Sequence, residues 1–145
     1  MRLPLSFINF VDRATRWVYR ATGGRIGGRQ WKYSMLLLQT TGRKSGQART
    51  HTLLYVRDGQ NMVVCASNNG QAQHPAWYLN LTANPHAKVQ AGRHRYGAIA
   101  EIVSGEEYDH LWQKFLAVRP QYAEYRMRTR RVFPIVTLKP VGKEQ

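Results

Sequence analysis

Acidic residues are scarce in this chain. Eight Asp and Glu stand against 22 Lys and Arg in 145 residues, a formal net charge of +14. Carboxylate chemistry therefore has little to draw on, and the adjacent pair Glu106 and Glu107 falls at a helix start, where its role is electrostatic capping. Cysteine is nearly absent as well. The one thiol, Cys65, lies in the apolar run VVCAS, which reads as a buried structural position and rules out a disulfide framework. No apolar run approaches the length of a membrane span. Asp12, Arg13, Arg16 and Arg20 break any apolar core of a secretory signal, so the expected location is cytoplasmic. The histidines His51, His74, His86, His94 and His110 pair with no Cys, acid or second His at metal-ligand spacing, and no metal site is expected. There is no nucleophile elbow, no Walker loop and no GxGxxG. A hydrolase is hard to build from what remains.

What is present is basic charge, unevenly placed. Residues 1–50 hold ten of the 22 Lys and Arg against Asp12 alone, and residues 119–131 hold five more against Glu124. Such a surface attracts nucleic acid, anionic lipid or an anionic small molecule. With 43% hydrophobic residues, the 145-residue chain reads as one globular domain.

Residues 4–21 carry Phe7, Phe10, Val11, Ala14, Trp17, Val18 and Ala21 at helical spacing, with Pro4 in the first turn and Gly23-Gly24 as a stop. This helix either packs on the domain or lies on an anionic membrane surface. A connector follows, so residues 1–33 form an N-terminal helix and linker. From residue 34 the pattern is β. SMLLLQT, RTHTLLYV and NMVVCAS read as strands, joined by the turn TGRKSGQ and the Asp-Gly hairpin turn RDGQ. After the polar loop SNNGQAQ, HPAWYLNLTAN reads as a short helix from Pro75 to Asn84-Pro85. AKVQA and RYGAIAEIV are further strands. Ser104 and Glu107 form a capping box for a helix burying Tyr108, Leu111, Trp112, Phe115 and Leu116. Pro120 interrupts it, QYAEYRMRTRR continues as helix, and FPIVTLKP is the last strand. About six short strands with interposed helices predict an antiparallel barrel, mainly β within the α+β class.

Three constellations bear on chemistry. The glycine-bounded turn TTGRKSGQART exposes backbone N–H groups beside Arg43, Lys44 and Arg49, with the Ser45 hydroxyl as a further donor. It is either a solvated basic hairpin or a cradle for phosphate or carboxylate. The loop ASNNG leads into the helix start HPAWYLNL, where Trp77 and Tyr78 either join the core or wall a flat ring. Tyr122 and Tyr125, three apart, share a helix face within a rim of Arg119, Arg126, Arg128, Arg130 and Arg131.

In this order and spacing, TTGRKSGQARTHTLLYV, ASNNGQAQHPAWYLNLTANP and the tyrosine segment resemble the deazaflavin-dependent nitroreductase family over residues 34–139. That family consists of F420-binding split β-barrel proteins, chiefly actinobacterial. The resemblance implies a split barrel of the FMN-binding type and coenzyme F420, an 8-hydroxy-5-deazaflavin with a phosphate and a glutamate tail. By motif match, Arg43, Lys44, Ser45 and Arg49 hold the phosphate and tail. Thr52, Leu53, Ser67, Asn68, Asn69 and Gly70 lie near the ring, with Trp77 and Tyr78 as wall. Tyr122 and Tyr125 match substrate-side tyrosines, the candidate catalytic groups. The family often reads Ser-Lys-Gly-Gly where this chain has Ser67-Asn68-Asn69-Gly70.

The implied activity is hydride transfer from reduced F420 to a quinone or a nitroaromatic or enone acceptor, the chemistry residing in the cofactor. A quinone substrate would suit peripheral contact of residues 1–21 with the inner face of the cell membrane. Two alternatives stand beside this: an FMN flavoprotein on the same barrel, and a non-enzymatic binder of membrane or nucleic acid. The chain carries no nucleic-acid recognition motif, so a nucleic-acid partner is not expected. No interface is legible, so the oligomeric state stays open.

Overall fold

Met62, Val63, Val64 and Cys65 follow one another without a polar break, and all four are buried. A strand that is apolar on both faces must be covered on both, and two separate cores do this. In the computed structural model, which describes residues 34–141, the strands are β1 (Met35–Thr41), β2 (Ala48–Leu54), β3 (Val56–Asp58), β4 (Asn61–Cys65), β5 (His86–Ala91), β6 (His94–Ile102) and β7 (Ile135–Val141). The helices are α1 (Ala76–Ala83), α2 (Gly105–Val118) and α3 (Gln121–Met127). The expected helix 4–21 and the connector to residue 33 lie outside the described residues.

The sheet order is β2-β1-β5-β6-β7-β4-β3, and every neighbouring pair is antiparallel. The two edge strands, β2 and β3, are consecutive in the chain, with only Tyr55 between them. The sheet must therefore curl until its edges meet, which is how an open sheet becomes a barrel. At this corner the Tyr55 N–H donates to the Ser34 carbonyl at 3.0 Å. The stretch RTHTLLYV, expected as one strand, is thus two, and the described residues hold seven strands where about six were expected. Leu54 pairs with Met35 on β1, while Val56 pairs with Val63 on β4. The change of partner is imposed by barrel closure and leaves no local signal.

Alternation divides the side chains between the cores. Leu36, Leu38, Met62, Val64, Val136 and Leu138 meet Trp77 and Leu81 of α1 in one. Val63, Cys65, Ile135 and Phe133 meet Leu111, Trp112 and Phe115 of α2 in the other. Helix α1 starts after Pro75, whose backbone is extended, and stops where the Asn84 N–H donates to the Asn80 carbonyl ahead of Pro85. Helix α2 starts after Ser104, but no side-chain hydrogen bond caps it, so the expected capping box does not form. Glu106 and Glu107 remain in its first turn, where the helix dipole favours them. Pro120 separates α2 from α3 as expected. Helix α3 ends at Met127 rather than continuing to residue 131, because Arg131 is drawn across to the loop after β4.

Candidate active site

The β1–β2 turn is closed by its own backbone. The Gly42 N–H donates to Gln47 O at 2.8 Å, and the Gly46 N–H donates to Gly42 O at 2.8 Å. Gly46 has φ +72°, a left-handed conformation that glycine adopts without cost. The Ser45 hydroxyl accepts from the Gln47 N–H at 3.2 Å, so it shapes the turn. Arg43, Lys44 and Arg49 are exposed around it.

One buried side chain fixes this turn to α1. Asn80, 3% exposed, accepts from the Arg43 N–H at 3.1 Å and from Arg43 Nη1 at 3.2 Å. Its own amide donates to Thr40 Oγ1 at 3.1 Å. Asn80 was not among the expected site residues. Its signal was a polar residue inside WYLNL, three positions after Trp77 and so on the buried side of the helix.

The loop after β4 has an uncommon backbone. Asn68, Asn69 and Gly70 have φ of 49°, 55° and 77°. Asn tolerates the left-handed region better than most side chains, which suits it to these two positions. The Asn68 amide also donates to Gln73 O at 2.9 Å. A Cβ on Gly70 would stand 2.8 Å from the Tyr125 carbonyl oxygen. The role of Gly70 is therefore to let the loop touch α3.

Arg131 holds the same loop from the other side. Its Nη1 donates to Ala66 O at 2.9 Å, its Nη2 to Ser67 O at 2.7 Å and Gln71 O at 3.0 Å, and its Nε to Gln71 O at 3.2 Å. Nη1 also lies 2.9 Å from His74 Nδ1, and the guanidinium stacks over Phe133 at 4.8 Å. Nearby, Arg119 Nη2 donates to the Tyr125 hydroxyl at 2.8 Å and sits over both tyrosine rings.

These elements enclose a cleft of about 1040 Å³, at the upper end of the usual range for small-molecule sites. Arg43, Thr52 and Leu53 line it from the hairpin side, and Ser67, Asn68, Asn69 and Trp77 from the loop and α1. Lys44, Ser45, Arg49, Gly70, Tyr78 and Tyr125 stand outside the lining. Tyr122 lines it but is only 4% exposed, packed edge-on to Phe115 and Tyr125. His74, Arg119 and Arg131 line it unexpectedly.

Burial, foremost, pushes the Tyr122 phenol well above its ordinary range, so it is neutral. Burial likewise pushes the Cys65 thiol up to about 12, consistent with a structural role despite its place at the cleft. Partial burial, then the Arg131 charge, lowers the His74 imidazole. No cluster of His, Cys, Asp and Glu among the described residues could hold a metal ion.

Residues 11–140 match the F420H(2)-dependent quinone reductase family. This chain belongs to that family. An F420H(2)-dependent quinone reductase of Mycobacterium tuberculosis is 41% identical over 125 residues, covering 83% of this chain and 84% of its own. The solved structure of an F420-H2 dependent reductase matches with a TM-score of 0.67 at 36% identity, covering 72% of this chain and 93% of that one. A pyridoxamine 5′-phosphate oxidase-like protein of Listeria innocua matches at 11% identity and TM-score 0.55, over 77% of this chain and 86% of that one, and shares the fold alone. The split barrel and the F420-reductase kinship expected from the motifs are both borne out. The cleft fits the cofactor of the F420H(2)-dependent quinone reductases in kind. Arg43 lines it on the hairpin side, with Lys44 and Arg49 exposed just outside the lining. In its wall is a buried Thr52 hydroxyl that has no hydrogen-bond partner among the described residues.

Proposed function

We propose that this protein reduces a quinone at the cleft, with coenzyme F420 as the hydride source. The observation that supports this is the cleft itself in a chain of this family: it is lined by Arg43 on the hairpin side and by Trp77, Tyr122, Arg119 and Arg131 on the others, so cations and aromatic rings face one space. Arg43, Lys44 and Arg49 would hold the phosphate and glutamate tail, with the turn's backbone keeping the cations on one side. Thr52, Leu53, Ser67, Asn68, Asn69 and Trp77 would bound the ring. Gly70 and Tyr78 act behind this wall, Gly70 through its contact with Tyr125.

When bound, the reduced cofactor supplies a hydride from its ring carbon. The protein's part is to hold the reactants close and to exclude water. No nucleophile is required, which fits a cleft whose thiol is held protonated by burial. Of the two tyrosines Tyr122 is the one in the lining, and it would meet a ligand there as a neutral phenol. Tyr125, bonded to Arg119, supports it from behind. Quinones favoured by such an enzyme reside in lipid, so the basic amphipathic segment 1–21 is proposed to bring the protein to an anionic membrane face. No helix among the described residues is long and apolar enough to cross a membrane.

The test is fluorescence titration of the purified protein with F420, followed by turnover of menaquinone analogues and nitroaromatics with the reduced cofactor. Saturable micromolar binding and faster quinone turnover are expected. No saturable binding, or a flavin spectrum in the protein as purified, would overturn the reading. Sedimentation with anionic liposomes, with and without residues 1–21, tests the membrane contact. Equal partitioning of both forms would remove it.

A further inference from the structure

His74 stands at the start of the segment leading into α1 and lines the cleft, yet nothing in the hydride-transfer scheme uses it. Its surroundings are asymmetric. Arg131 Nη1 lies 2.9 Å from Nδ1. A guanidinium nitrogen only donates and does not deprotonate in a protein. Nδ1 must therefore accept, and the single proton of the neutral ring must sit on Nε2. The geometry so selects one of the two tautomers.

Arg131 itself cannot drift from this position, since its other donors are held by the carbonyls of Ala66, Ser67 and Gln71. The Tyr78 ring of α1, 4.9 Å away between centroids, flanks the imidazole. Among the described residues, the other charged or titratable groups lining the cleft are the cations Arg43 and Arg119, with His51, Cys65 and Tyr122. No carboxylate among the described residues lines it to favour an imidazolium. Every neighbouring charge thus opposes a second proton on His74.

We propose that His74 is a binding residue of the cleft, held by Arg131 as the neutral Nε2–H tautomer and donating that N–H to a ring carbonyl oxygen. Such oxygens are carried both by a deazaflavin and by a quinone, and the quinone oxygen gains negative charge as the acceptor takes up hydride. A neutral donor is suited to this, because it stabilises charge on oxygen without giving up its proton. His74 is thus a hydrogen-bond donor and not a general acid, and Arg131 is its positioning residue. The proposal rests on the reading of the cleft as the site of quinone reduction.

The first test needs no ligand. Nitrogen-15 NMR of the imidazoles in the ligand-free wild-type protein should show His74 with a protonated Nε2 and an unprotonated Nδ1 across neutral pH. Arg131→Lys keeps the charge but loses the fork, and should convert His74 to a tautomer mixture. A predominant Nδ1–H form in the wild type, or no change in Arg131→Lys, would overturn the assignment.

The second test separates the two sources of the carbonyl. His74→Leu should weaken one constant about tenfold, the expected scale of one lost hydrogen bond at a charge-developing oxygen. An effect on F420 affinity assigns the cofactor carbonyl, and an effect on kcat/KM for the quinone at saturating cofactor assigns the acceptor. His74→Gln, which retains an N–H donor, should recover most of the loss. If His74→Leu leaves both constants at wild-type values, the binding role is wrong. If instead the wild type itself binds no F420, the function reading fails, while the tautomer result stands on its own.

Discussion

On the hairpin lip of the cleft, Arg43, Lys44 and Arg49 are exposed, and the turn beneath them is closed by backbone hydrogen bonds and by Asn80. Across the cleft, the Arg131 guanidinium makes five polar contacts, all to the loop 66–74. In the first set Arg43 gives one guanidinium nitrogen to Asn80, while the exposed side chains of the set are those proposed to meet a ligand. The second has its donors committed to the chain's own carbonyls and works as a clamp. Charge count alone would give the two regions the same function, whereas hydrogen-bond partners separate binding from support.

The clamp matters most to stability. Arg131→Met should cost about 3 kcal/mol of stability, because it leaves carbonyls of the loop unpaired. Urea denaturation checks it, and a loss under about 1 kcal/mol would mean the contact behaves like an ordinary surface bond. Glycines give the next contrast. Gly70→Ala combines a left-handed backbone with a Cβ 2.8 Å from the Tyr125 carbonyl, and should cost about 2–3 kcal/mol. Gly46→Ala has a similar φ but open space around it, and should cost only about 1 kcal/mol. Equal losses would show that the loop yields to α3 without strain.

On the opposite lip the expectation reverses. Arg43→Ala should change stability by about 0.5 kcal/mol or less, since the Arg43 N–H still reaches Asn80, but it should weaken F420 binding about tenfold or more. A titration showing unchanged affinity would remove the hairpin from the binding site. The smallest effect is with pH. His74 titrates below its ordinary 6.5 in the folded chain, so on acidification the unfolded chain takes up this proton first. The contribution is complete above 6.5 and is lost as pH falls through the lower folded value. Stability measured on either side of that window should decline more in the wild type than in His74→Leu.

Much of this was legible from local pattern. The strands on either side of the GRKSG turn, the helix at Pro75 and the break at Pro120 each carry their own signals. The strand break at Tyr55 carries none, because RTHTLLYV is uniformly β-prone and only its two partners, β1 and β4, divide it. Asn80 reads as any helix asparagine until Thr40 and Arg43 are brought to it from about 40 residues away in sequence. Arg131 was one of five arginines in a basic rim. What distinguishes it is a set of carbonyls 60 to 65 residues earlier, a separation at which no sequence window can register a contact. Tyr122 was legible as part of a tyrosine pair, but its near-complete burial follows from α2, not from its own spacing.

Strand β7 lies between β6 and β4, pairing Ile102 with Val136 on one side and Met62 with Leu138 on the other. Every earlier strand is therefore made before the one that joins them. During synthesis, β4 must wait with an uncovered apolar edge while some 70 further residues emerge. Only the arrival of the last strand converts two partial sheets into one. Folding of this chain is bound to be late and non-local, closer to fitting a keystone than to zipping hairpins in order. A nascent chain stalled before residue 135 has no route to the cleft, however complete its hairpin turn and loop already are.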